Sequence, residues 1–203
     1  HYIDDIKSIT PQELMYVQNE QLKKGLSAQD VLVSVDKLIN VFYESLSNHK
    51  LKEPVKYLFI QYLIEENTAL TEILDDFKAV IKSQPLKGNH KLRTFLDKVL
   101  EYKEHLIKLE NILFPYLEKK DERFNGLSIL WALHDEVRSK IKHLETAFRE
   151  DADEHILKVK LSYLYFNLYG LIQKQELILF PAAVSYLSKE HFKDMHVQSF
   201  DYS

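Results

Sequence analysis

Four side chains able to hold a metal ion stand in the middle of apolar-periodic stretches: Glu66, Glu110, His134 and Glu176. At ~100° per residue, Glu66 shares a helical face with Val55, Phe59, Tyr62, Leu63, Leu70, Phe77 and Val80. Glu110 falls among Phe95, Val99, Leu106, Leu113 and Leu117, and His134 among Leu127, Leu130, Val137 and Ile141. Glu176 falls among Leu161, Tyr165, Tyr169, Ile172 and Phe180. Carboxylates with an imidazole inside a helical bundle are the ligand type of non-haem iron and manganese centres. The pattern therefore points to iron or another divalent metal. An uncompensated carboxylate in such a core is costly and has its pKa raised, so that folding would weaken on raising the pH. A lone core Glu or His is more often a hydrogen-bonded structural residue than a ligand. One on each of four helices makes the two readings equal contenders, and Lys103 or Arg138 can also neutralise a carboxylate without metal. Tyr62, Tyr165 and Tyr169 read as core aromatics first and as hydrogen-bond donors second. His105 is the fifth candidate. It precedes Glu110 by five residues, ~140° around a straight helix, and is expected at the edge of the core.

The elements that must position these residues follow from their boundaries. A hexapeptide occurs twice, ENILFP from Glu110 to Pro115 and ELILFP from Glu176 to Pro181, late in two long apolar-periodic runs. Each proline removes a backbone donor, so a kink or an end is expected there. Thr10, Pro11 and Glu13 make a capping-box helix start, and that helix stops at Gly25. Ser27 with Asp30 starts a second helix carrying Val31, Val35, Leu38, Ile39 and Phe42. The polar stretch from Ser47 to Pro54 is the best internal boundary. Long helices are expected over about 54–82, 90–117, 127–148 and 154–187, with Ser188 capping a short closing helix. The expected fold is all-α: an up-down four-helix bundle over 51–203, preceded by a small helical hairpin over 1–50. Counting from the turns puts Glu66, Glu110 and His134 at similar heights, so the candidate residues are expected to converge on one interior point.

Composition narrows the function. The chain has 203 residues, four Gly, five Pro and a net charge of −4. No Lys/Arg block and no run of 18 apolar residues occurs, which argues against nucleic-acid and membrane partners. The absence of cysteine excludes disulfides, Cys-held zinc and iron–sulfur clusters, and fits a cytoplasmic protein. The chain begins at His1 rather than Met, and its last residues read as no natural terminus. It is therefore expected to be part of a longer chain.

TPQEL at Thr10, EEN-x-AL from Glu65 to Leu70 and H-x4-EN-x-LFPYLEK from His105 to Lys119 are followed by LWALHDEVR at Leu130 and KQELILFP at Lys174. In these motifs the chain resembles the hemerythrin-like (HHE cation-binding) bundle, in the form that follows the small domain of unknown function numbered 438. The resemblance covers nearly the whole chain. It implies a non-haem iron bundle handling O2, NO or iron, with a PAS sensor or other output domain beyond it. The segment Leu58-Phe59-Ile60-Gln61 lacks the His-Pro-x-x-His of many relatives, and the His-plus-Glu spacing is replaced by His105 with Leu109 and Leu171 with Gln175. The five-histidine di-iron set is thus absent, and a partly degenerate, carboxylate-rich site of Glu66, Glu110, His134 and Glu176 is what remains. A metal-binding sensor or iron-handling domain is the leading reading. A metal-free regulatory or interaction bundle of a PAS-linked sensor is second. A di-metal oxidase is third, because the paired Glu-x-x-His motifs it needs are missing and no residue is assigned a catalytic role.

Overall fold

The computed structural model describes residues 8–82 and 85–202; His1 and Ser203 lie outside them. Helices run over Pro11–Lys23 (α1), Ala28–Val41 (α2), Tyr43–Ser47 (α3), Leu58–Lys82 (α4), His90–Lys108 (α5) and Phe114–Glu118 (α6). They continue as Ser128–Arg149 (α7), Glu154–Lys174 (α8), Phe180–Tyr186 (α9) and Lys189–Ser199 (α10), and no strand occurs among the described residues. The signals that start these helices are local. Thr10 with Glu13 and Ser27 with Asp30 form reciprocal capping boxes, and Ser188 caps α10. Gly25 and Gly88 take φ of 90° and 79° in the turns after α1 and before α5, where a side chain would be strained. The first bundle helix begins at Leu58, four residues after the proline expected to open it.

The two proline hexapeptides do something more specific than kink. Each becomes a turn of π-helix, Leu109–Leu113 between α5 and α6 and Gln175–Leu179 between α8 and α9. Phe114 N–H reaches back to the carbonyl of Leu109, and Phe180 N–H to that of Gln175, one residue further than in an α-helix. Pro115 and Pro181 follow directly. A proline ring crowds the carbonyl four residues back, and the wide turn relieves that crowding, so the helix axis continues through the proline.

The bundle packs α4 on α5 and α8, and α7 on α8, while α10 closes over α4. Phe77 and Phe95 stack at 3.9 Å between α4 and α5. The hairpin packs on the bundle: Leu14, Met15, Val31, Leu32, Val35 and Ile39 are buried against the bundle helices. Two expected core positions lie outward instead: Tyr62, at 46 % exposed, and Tyr169. The face of α4 is centred on Ile60, Leu63, Asn67, Leu70 and Leu74, one residue away from the register that would bury Glu66.

Candidate functional site

The buried polar groups form two clusters. In the first, Glu66 on α4 lies 2.8 Å from His105 Nδ1 on α5 and also takes the Lys108 ammonium. His105 is 2 % exposed. His105 borders Tyr102 and Leu109 on the helix surface, ~60° and ~40° away, and Glu66, Tyr102 and Gln175 close over it. The ring stacks on Tyr102 at 4.4 Å, and its Nε2 lies 2.9 Å from the side-chain amide of Gln175 in the second π turn. Tyr102 donates to Asn67 Oδ1 at 2.7 Å and stands 3.2 Å from the same Gln175 amide.

A proton count orients this network. The tyrosine has one hydroxyl proton, which the nearer Asn67 oxygen takes. A neutral His105 donating Nδ1–H to Glu66 leaves Nε2 as an acceptor. Both remaining contacts are satisfied when Gln175 turns its NH2, otherwise unpartnered and buried, toward Tyr102 and His105. Burial acts to raise the Glu66 carboxyl, but its bonds to His105 and Lys108 outweigh that and hold it below 4.5. Burial pushes Tyr102 well above 10.

In the second cluster, Glu110 at the start of the first π turn lies 2.8 Å from both His134 Nδ1 and Arg138 on α7, and Arg138 also donates to Asp135. His134 is fully buried, with Phe114 stacked at 5.5 Å, and its Nε2 has no partner. Burial lowers the His134 pKa below 6.5 despite the bond to Glu110. Burial acts to raise Glu110, but His134 and Arg138 hold it below 4.5.

Of the expected site residues, the structure therefore pairs Glu66 with His105 and Glu110 with His134, and turns Glu176 to Lys50 at 2.5 Å. Among the described residues no group of three or more His, Asp or Glu is placed to share one ion. Each carboxylate already faces a protein cation: Lys108, Arg138 or Lys50. The arrangement does not fit a centre built from four convergent side chains. It does fit a single cation held through imidazole nitrogen. A ligating histidine ordinarily gives its other ring N–H to a carboxylate, as both rings do here, and His134 Nε2 is a buried lone pair with nothing to bond.

Sequence reading missed Asn67, Tyr102 and Gln175. The spacing of Ile60, Leu63, Leu70 and Leu74, and of Leu161, Leu164, Leu168 and Leu171, carried the signal for the two amides. Residues 174–176 also reach three ways: Lys174 to Asp36 on α2, Gln175 into the core and Glu176 to Lys50.

The pH dependence follows, with the opposite sign to that of uncompensated carboxylates. His134 titrates near 6.5 when unfolded but lower when folded, so stability falls as pH drops through 6.5. Glu66 and Glu110 contribute fully above 4.5 and lose that contribution as pH falls from there through their lower folded values. Chelator-treated protein should show a melting temperature that declines in two steps, below pH 6.5 and again below 4.5. His134→Gln should lack the first step; a profile identical to wild type would refute the assignment.

The family model for the hemerythrin HHE cation binding domain matches residues 58–183, well over half of the chain. No curated protein and no solved structure matches it.

Proposed function

Since the chain belongs to the hemerythrin HHE cation-binding domain family, we propose that it is a cation-responsive regulatory bundle with a reduced, histidine-centred site. The observation that carries this reading is His134, fully buried, with Nδ1 on Glu110 and Nε2 without a partner. In this reading His134 and His105 hold the ion, and Glu110 and Glu66 orient the two rings. Gln175 must turn its amide away from His105 Nε2 for the second nitrogen to engage. Imidazole suits iron, zinc and other first-row divalent metals, and the family resemblance favours iron. Iron, if held there, would supply redox chemistry toward O2 or NO. The chain's own residues supply access and a means of reporting: Gln175 is flanked by Lys174 and Glu176, which tether the hairpin and the segment before α4. Movement of the Gln175 amide therefore bears on how the hairpin is held, the kind of change a sensor passes to a PAS or other output domain. The finer kinship with the type numbered 438, the hairpin as an appended unit and a cytoplasmic setting belong to the same proposal.

A second reading has an observation of its own. Lys108, Arg138 and Lys50 neutralise the three carboxylates, as a metal-free regulatory bundle requires. No helix among the described residues is long and apolar enough to cross a membrane. Anaerobic equilibrium dialysis against Fe(II), and separately Zn(II), distinguishes the two readings. One ion per chain is expected, with affinity at least about tenfold weaker in His134→Ala. No stoichiometric binding would leave the metal-free reading, and stoichiometric binding indifferent to His134→Ala would overturn the His134-centred site.

A further inference from the structure

The inward face of helix α8 is filled by Leu157, Leu161, Leu164, Leu168 and Leu171. On the opposite side Ile156, Val159, Tyr163 and Phe166 remain exposed, the two aromatics at 60 % and 68 %. Their spacing of three, four and three residues is the a/d pattern of a helix–helix seam. A contiguous exposed apolar stripe of this kind marks an interaction surface.

We propose that this stripe is the docking surface for a second copy of the same chain, α8 packing antiparallel on α8 about a twofold axis between Val159 and Tyr163. The spacing is self-complementary. With the axis there, Ile156 meets Phe166 of the other copy and Val159 meets Tyr163, each layer occurring twice, so every member of the stripe faces an apolar side chain. The end of the seam borders a groove of about 210 Å³ with a mixed lining, Leu32, Val33, Leu133 and Phe166 on one part and Gln29, Asp36, Glu136, Asn167 and Lys174 on the other, and the other copy's Ile156 would pack on its apolar part. Few like charges oppose the pairing. Lys160 nears its own counterpart at the axis, whereas Ser162 faces Ser162 and His155 faces Tyr169. Lys140 is already engaged, with Glu136 and over the Tyr163 ring. The apolar area suits a weak, concentration-dependent dimer. At ~150–250 Å² per aromatic side chain, the four exposed fractions amount to about 350–400 Å² of apolar surface on each copy. With its polar rim this approaches the ~1,200 Å² total at the lower end of stable interfaces.

Sedimentation velocity on the intact 203-residue chain, from low to high micromolar, tests the proposal. The expected result is a concentration-dependent dimer. Tyr163→Glu/Phe166→Glu, both at exposed positions, should weaken it at least tenfold with an unchanged helical spectrum. Val41→Glu, at an exposed valine off the stripe, should leave it intact. The absence of cysteine adds an independent reading of the axis. Ser162→Cys should form a disulfide-linked dimer under mild oxidation, and Val197→Cys should not. A chain monomeric throughout the range, a dimer that survives the double glutamate variant, or Ser162→Cys that crosslinks no better than Val197→Cys would each overturn the proposal. Association of the stripe only with the helix of a different protein would appear as the first of these.

Discussion

Gln175→Ala should lower the unfolding free energy by about 3–4 kcal/mol, the combined effect of a core cavity and lost buried hydrogen bonds. Gln175 is fully buried in the second π turn, and its amide is the one group that contacts both His105 Nε2 and Tyr102. Truncation leaves His105 Nε2 without a partner and Tyr102 with Asn67 alone. Gln175→Met separates the two contributions, because it retains most of the volume and none of the hydrogen bonding. It should lose about 1–2 kcal/mol. Urea unfolding of the three proteins measures both steps. An alanine variant within 1 kcal/mol of wild type, on the scale used here, would mean that the network does not hold the bundle together.

The second large effect concerns the hairpin. Lys174 is 3 % exposed, and its ammonium is bonded to Asp36 on α2 and lies 3.4 Å from the Gly170 carbonyl. Asp36→Ala strands a buried charge, and breaking such a pair is much more harmful than replacing it. Full burial of both partners would give ~3–5 kcal/mol; Asp36 is itself mostly exposed, so about 2–3 kcal/mol is expected. Lys174→Met removes the charge and should stay within about 1 kcal/mol of wild type. Combining it with Asp36→Ala should recover most of the loss. Hydrogen exchange adds a local readout: α2 should open more readily in Asp36→Ala than in Lys174→Met. Equal losses in the two single variants would show that packing, and not the pairing of Lys174, anchors the hairpin.

Much of the fold was legible in the sequence because its determinants are local. Capping boxes at Thr10 and Ser27 and the glycine stop at Gly25 lie within a few residues of what they control. Apolar periodicity likewise identified the bundle helices. Why ENILFP and ELILFP are alike became evident only in the structure. Each builds a π turn that accommodates its proline, a hydrogen-bond choice that composition does not express.

The site was legible in kind and missed in register. Glu66 is followed by Asn67, and Glu176 is preceded by Gln175. One residue of helix is ~100°, so a small error in the face exchanges carboxylate for amide. The structure resolves the choice the same way twice: the neutral amide, cheaper to remove from water, goes into the core, and the carboxylate stays at its margin. Glu110 goes inward because His134 and Arg138 meet it there. Sequence alone thus determined an all-helical bundle with carboxylates and histidines near its axis. Tertiary structure decided which of them enter the core and which cation each carboxylate meets. Lys50 lies far from Glu176 along the chain, as Lys108 does from Glu66, and only folding brings such charges within reach of each other.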